Sequence, residues 1–199
     1  NLRDPIARPE RFVEDIPNCW ETIECERAFS LASGVSKTQQ DLEREKLGSV
    51  PVYGGNGIVG YTTTPLIYHQ TIVIGRVGEY CGKVHLVSTP AWITDNALYA
   101  TRFALGFNVS FVYRFLQWFD LSRMQSQTGQ PLVTQGVVGK VRIVKPPIGE
   151  QEMICSILDS QDKQIQSEEA IFQKLLKLKS GLMSELLKGH VRVPEGIDG

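Results

Sequence analysis

Cysteine and histidine are scarce in this chain: Cys19, Cys25, Cys81 and Cys155, with His69, His85 and His190, among 199 residues. No two cysteines form a Cys-x-x-Cys pair, so neither a zinc site nor a disulfide framework is expected. The thiols are read as reduced, which points to a cytoplasmic protein. No run approaches the roughly 18 apolar residues of a membrane-spanning helix. The first ten residues are polar and charged, without a signal-peptide pattern. The chain does not open on Met and is read as processed, trimmed or excised from something longer. With 42% hydrophobic and 22% charged residues, it is neither collagen-like, mucin-like nor wholly disordered. The length suits one domain, with or without an extension.

Acidic residues are missing from the middle of the chain. Residues 49–149 hold only Glu79, Asp95 and Asp120, against eight basic side chains. Residues 1–48 hold seven basic and ten acidic side chains, and residues 150–199 six and nine. The net charge of -1 therefore conceals a basic middle between acidic ends. Such a segment fits a polyanion on one face, or simply a solvated surface. Catalytic signatures are absent as well. There is no Gly-x-x-x-x-Gly-Lys-Ser/Thr loop, Gly-x-Ser-x-Gly elbow or His-Glu-x-x-His helix. Neither Gly75-x-x-Gly78 nor Gly54-Gly55-x-Gly57 opens a helix after a buried strand, as a dinucleotide fingerprint must. Lys145-Pro146-Pro147-Ile148 lacks both the leading amide or acid and the trailing aromatic of an adenine methyltransferase motif. Catalysis by this chain alone is not expected.

What is present divides the chain. Residues 1–15 read as a loose lead-in, and Ile16-Pro17-Asn18-Cys19-Trp20 as a hydrophobic anchor after a turn. Thr22, Ile23 and Cys25 have strand character, and the charged run Lys37 to Lys46 suits an exposed loop or short helix. Val50 to Tyr53, a Gly54-Gly55-Asn56-Gly57 turn and Ile58 to Tyr61 predict a hairpin. Further strands are expected at Thr71–Ile74, Gly82–Val87, either side of a polar corner within Ala91–Ala100, and at Val137–Val144. Apolar spacing of three and four predicts a buried helix over Val109–Leu121. The reading is α+β: a globular β-rich domain over 1–149, one long helix over 150–189, and a tail over 190–199.

The long helix rests on a run from Glu150 to Lys188 with no proline and a single glycine, Gly181. Ile154, Leu158, Ile165, Phe172, Leu175, Leu182 and Leu186 follow an alternating four-three spacing. The same register brings Gln161, Glu168 and Lys179 into the seam, leaving seven of ten positions apolar. A helix of that length cannot fold back wholly onto the preceding domain. It is expected to pair with a helix from another chain or another repeat.

Five segments, in order, resemble the DNA-specificity (S) subunit of type I restriction–modification systems, or half of one. They are Pro17-Asn18-Cys19-Trp20; Pro51 to Tyr61; Ile74-Gly75-Arg76-Val77-Gly78 with Gly82-Lys83-Val84; Thr128 to Gln135; and Pro146-Pro147-Ile148-Gly149 leading to Leu175-x-x-Leu178 and Gly181-Leu182-Met183. The resemblance spans roughly residues 16–189. It implies a target recognition domain joined to a conserved helix, two such halves pairing their helices antiparallel, and each half reading part of a split double-stranded DNA target. It also implies methyltransferase subunits as partners, with restriction and translocase subunits joining the complex. S-adenosylmethionine would sit on the methyltransferase partner, and this chain would carry no cofactor. With one domain and one helix, the chain is expected to pair with a second copy or a second half. An alternative is a truncated paralogue acting through its helix as an assembly protein without reading DNA. An enzyme built on the same fold would need a cofactor pocket.

Major-groove reading needs forked side chains, and phosphate positioning needs cations, hydroxyls and backbone N–H groups. The polar loops supply the candidates. Gly54, Gly55, Asn56 and Gly57 would bring backbone close to a duplex, or merely turn the hairpin. Arg76 and Lys83 suit phosphate. Thr94 and Asn96 sit at a polar corner that is equally a structural turn. Arg123, Gln125, Gln127, Thr128 and Gln130 form the densest cluster of forked donors, and Lys37, Thr38 and Gln39 form a further polar stretch. Trp20, Trp92, Phe111, Phe115, Trp118 and Phe119 read as core, and His69 and His85 as structural or exposed.

Overall fold

The computed structural model describes residues 16–38, 41, 49–124, 126 and 131–192. Gln39 and the candidates Gln125, Gln127, Thr128 and Gln130 lie outside that set, as does most of the Lys37–Lys46 run. The described elements are β1 (Glu21–Glu24), α1 (Cys25–Ala28), β2 (Phe29–Ser33), β3 (Val50–Gly54), β4 (Gly57–Thr62), β5 (Thr71–Gly75), β6 (Val84–Val87), β7 (Trp92–Ile93), β8 (Ala97–Phe103), α2 (Val109–Phe119), α3 (Gln135–Gly139), β9 (Arg142–Lys145) and α4 (Ile148–Leu187). One unit ends at Cys155 and a second begins at Ser156.

The strands form three sheets: β1-β9, β2-β8-β5-β6 and β4-β3-β7. All pairings are antiparallel except β3 with β7. Strand β5 is buried along its whole length, because both of its faces are covered. Ile72 and Ile74 belong to one apolar cluster with Phe111, Val112, Phe115, Leu116 and Phe119 of α2. Val73 faces the other way, into a cluster with Val87, Ala91, Ile93 and Ala97. A strand covered on both sides reads as an unbroken β-branched run, which Thr71-Ile72-Val73-Ile74 is. Each α2 side chain so buried is worth about 1.5–3 kcal/mol. Asn108 caps α2 by accepting from Phe111 N at 3.2 Å. Asp120 ends the helix in the left-handed region, at φ 59°.

The expected strand over Val137–Val144 divides into two elements. Thr134 Oγ1 accepts from Val137 N, 3.3 Å away, and starts α3. Val138 is fully buried from that helix, and the strand begins only at Arg142. Helical capping and burial of Val138 outweigh the β preference of two adjacent valines. Cys25 likewise opens a one-turn helix rather than continuing β1. Burial pushes its thiol up to about 12. None of the four cysteines forms a disulfide.

Helix α4 starts at Ile148 and runs for 40 residues, about 60 Å at ~1.5 Å per residue. Its first two turns belong to the domain. Gln151 and Cys155 are buried, and Ile154 packs against the main core. The boundary expected at Gly149 therefore falls inside the first turn of α4. Ile154, expected in the dimer seam, is partly buried against its own domain. Gly189, at φ 72°, terminates the helix, its N–H donating to Leu186 O at 3.2 Å. Among the described residues, no helix is long and apolar enough to cross a membrane.

Candidate nucleic-acid interface

The predicted hairpin forms, and its tip is pressed against the rest of the domain. Gly54 pairs with Gly57 across the turn. Gly57 sits at φ 104°, a conformation that L side chains rarely adopt. A methyl group built on Gly55 would lie 3.4 Å from Gly75 Cα and 3.5 Å from Asn96 O. The tip therefore meets the end of β5 and the corner between β7 and β8. Gly75 is the tightest point. A methyl group there would collide with Tyr80 O and lie 2.9 Å from Gly55 O. The β3–β4 turn, the end of β5 and the turn over residues 78–83 thus touch through bare backbone.

This contact gathers several candidates that are far apart in sequence. Lys83 is exposed and donates to Asn56 Oδ1 at 3.2 Å. Its ammonium also lies 5.3 Å from the centre of the Tyr80 ring. Arg76 N donates to Asn96 O at 3.0 Å, and Arg76 Nη1 reaches Ser33 Oγ at 3.4 Å. Asn96 is exposed. Thr94, by contrast, is only 7% exposed, and its hydroxyl has no hydrogen-bond partner. Its backbone closes the corner, Thr94 N donating to Tyr53 O and Thr94 O accepting from Ala97 N. The structure therefore gives Thr94 a turn position rather than a surface one.

Two further groups flank this edge. Arg123 follows α2 and pairs with Asp120, Nε to Oδ2 at 3.3 Å. It is joined to the 78–83 turn because Gly82, at φ 83°, packs on the backbone of Leu121 and Ser122. Lys37 Nζ donates to Thr62 Oγ1 at 2.7 Å and lies 4.3 Å from the Trp92 ring centre. Thr38 donates through N and Oγ1 to Asp41 Oδ2, at 3.1 and 2.6 Å. Lys37 is thus held on the β4 and β7 side rather than at the hairpin tip, and Thr38 is engaged locally by Asp41.

The edge is mixed in charge. Glu79 and Asp95 are exposed on the same turns as Lys83 and Asn96. It offers forked donors and acceptors instead of a uniform basic field. Among the described residues there is no cluster of His, Cys, Asp or Glu that would hold a metal ion.

Several residues that support the edge or the domain beneath it were not among the candidate site residues. Gly75 and Tyr80 act through packing. His85, half-buried on β6, approaches Gly55 O through Nε2 at 3.2 Å. Burial holds its pKa down and the Lys83 charge adds to this, while the contact with Gly55 opposes them. Gln151 accepts from Asn108 N at 2.9 Å and donates to Gly106 O and Pro146 O, both at 2.8 Å. Trp20 Nε1 donates to Glu150 Oε2 at 2.9 Å. A polar residue on a helix start carries no sequence signal of such a network. Only the Pro-x-x-Trp segment hinted at an anchor.

The seam residues Leu158, Ile165, Phe172, Leu175, Leu182 and Leu186 are all exposed on α4, Leu175 at 57%. Leu176, Leu178, Met183 and Leu187 widen the apolar band near the end of the helix. The band is broader there than a two-position seam.

Comparison with known proteins follows the same lines. The family model for the type I restriction modification DNA specificity domain matches residues 17–177. The specificity subunit of the Escherichia coli type I restriction enzyme EcoprrI is 30% identical over 112 residues, covering 56% of this chain and 28% of that subunit. The crystal structure of a type I restriction–modification S subunit from M. genitalium superposes with a TM-score of 0.66 at 19% identity, over 83% of this chain and 45% of that one. The HsdS subunit from Thermoanaerobacter tengcongensis gives 0.62 at 16% identity, over 86% and 45%. The chain thus spans less than half the length of these relatives. The sheets followed by one long helix are the fold of those subunits, and the chain belongs to the family of type I restriction–modification DNA specificity domains.

Proposed function

We propose that this chain is a non-catalytic, DNA-reading half of a type I specificity subunit. It recognises one part of a split double-stranded target and directs methyltransferase and endonuclease partners to it in the cytoplasm. S-adenosylmethionine then belongs to the methyltransferase partner. One observation carries the reading: Asn56, Lys83, Arg76 and Asn96, from four separate segments, meet at one edge of the domain. Asparagine amides fork onto adenine, arginine and lysine onto guanine, and carboxylates such as Asp95 accept from cytosine. Lys83 is the candidate for a phosphate.

The test is selection from a randomised duplex pool by the full chain together with its methyltransferase subunit. A split motif should emerge, and its binding should fall steeply with salt. Lys83→Ala should weaken binding and lower the salt slope by about 0.9 per lost phosphate contact. An unchanged slope removes Lys83 from the phosphate contacts, and the absence of any enriched sequence removes the DNA reading itself.

The exposed stripe on α4 supports pairing with a second copy or a second half, and its broader end supports docking of a methyltransferase subunit. Light scattering of the purified chain should give a mass near twice 22.2 kDa. The double change Leu175→Glu and Leu182→Glu should return it to the monomer while leaving thermal unfolding of the domain in place. A double variant that still dimerises places the interface elsewhere.

A further inference from the structure

The hairpin tip has a support that its own sequence does not contain. On β6, Val84 and Leu86 face the main core, whereas His85 and Val87 face the opposite side. His85 pairs in register with Val73, so its ring stands on the face covered by β3 and β4. There its Nε2 lies 3.2 Å from Gly55 O. The ring also lies under Gly57, where an added methyl group would be 3.5 Å from Cε1. A carbonyl oxygen only accepts, so the nitrogen facing it must carry the proton. Gly55 directly precedes Asn56, whose amide oxygen is taken by Lys83. Three glycines surround Asn56 and supply no side-chain packing of their own. On its β6 side, the place at which Asn56 is presented is therefore fixed by His85.

We propose that His85 is a positioning residue for the recognition tip: its Nε2–H, donated to Gly55 O, holds the Gly54–Gly57 backbone and Asn56 in the attitude that reads bases. The proposal rests on the DNA reading above and names the residue on which its selectivity depends. His85→Leu keeps apolar bulk and loses the donor, while His85→Gln restores an N–H. The probe is the duplex selected by the unaltered chain with its methyltransferase subunit, compared with the same duplex changed at single base pairs.

His85→Leu should reduce the preference for the selected duplex by about tenfold at one or more positions, the size of one lost base contact. The salt slope should stay unchanged, because phosphate contacts are not touched. His85→Gln should recover most of the preference. A preference retained by His85→Leu, or a His85→Gln variant as deficient as His85→Leu, overturns the proposal. Nitrogen-15 spectra of the unaltered chain, free of DNA, give an independent reading. The Nε2–H tautomer with slowed exchange of the Gly55–Gly57 amides is expected, and an Nδ1–H tautomer overturns the assignment even if His85→Leu does not fold. If the unaltered chain selects no sequence, the DNA reading fails, while the tautomer still decides whether His85 holds the tip.

Discussion

Gly75→Ala is expected to cost at least about 3 kcal/mol of stability and to disorganise the recognition edge. The added methyl group would collide with Tyr80 O and stand 2.9 and 3.2 Å from Gly55 O and Cα. All of these are backbone atoms, which cannot rotate away as a side-chain end would. Relief requires separating the hairpin tip from β5 or opening the turn at residues 78–80. Opening the turn breaks the backbone bond from Gly82 N to Gly75 O, 2.8 Å, and the one from Gly75 N to Lys83 O, also 2.8 Å. Gly136→Ala is the matched control. Nothing lies within 4 Å of a methyl group there, and the position is helical. That change should be neutral or stabilising by up to about 1 kcal/mol. Urea unfolding of both variants decides the matter: equal midpoints would show that the packing at Gly75 is looser than described.

Gln151→Leu should destabilise the domain by about 3–5 kcal/mol despite conserving side-chain size. Gln151 is fully buried at the start of α4. Its amide satisfies Asn108 N–H, Gly106 O and Pro146 O, which come from two different loops. Leucine leaves all three without their side-chain partner, Pro146 O in a buried position and Asn108 N and Gly106 O in part-buried ones, at about 1–3 kcal/mol each before relaxation. Gln151→Glu adds a test of sign. An ionised carboxylate accepts from Asn108 N but faces two carbonyl oxygens, so burial and repulsion raise its pKa in the folded protein. Its deficit relative to the unaltered chain should be least at low pH, where the protonated acid can donate once. The deficit should grow as pH rises through the folded pKa. A deficit independent of pH would show that water or a shift of the loop satisfies these carbonyls.

Part of this was legible without coordinates. The 3.6-residue period over Val109–Phe119 and the four-three spacing beyond Leu158 are local patterns, repeated several times, and they specify helices. A glycine-rich turn between two β-branched runs likewise specifies a hairpin. Two neighbouring valines at 137 and 138 do not decide between helix and strand. There the Thr134 cap and the buried pocket for Val138 chose the helix. Ile154 fits the seam by spacing, and only the structure shows that it also packs against the domain core.

By itself, the sequence determined the β3–β4 hairpin, the helices α2 and α4, the basic middle, the lack of catalytic motifs and the long apolar stripe of α4. These depend on residues near one another along the chain, where spacing is geometry. The tertiary structure alone decided that Asn56, Arg76, Lys83 and Asn96 share one edge, that Thr94 turns inward, and that His85 and Gln151 hold polar groups from remote loops. Those outcomes depend on which strands pair and in what register. Such pairing is set by burying β5 on both faces, a cooperative choice among distant segments that no local window of sequence contains.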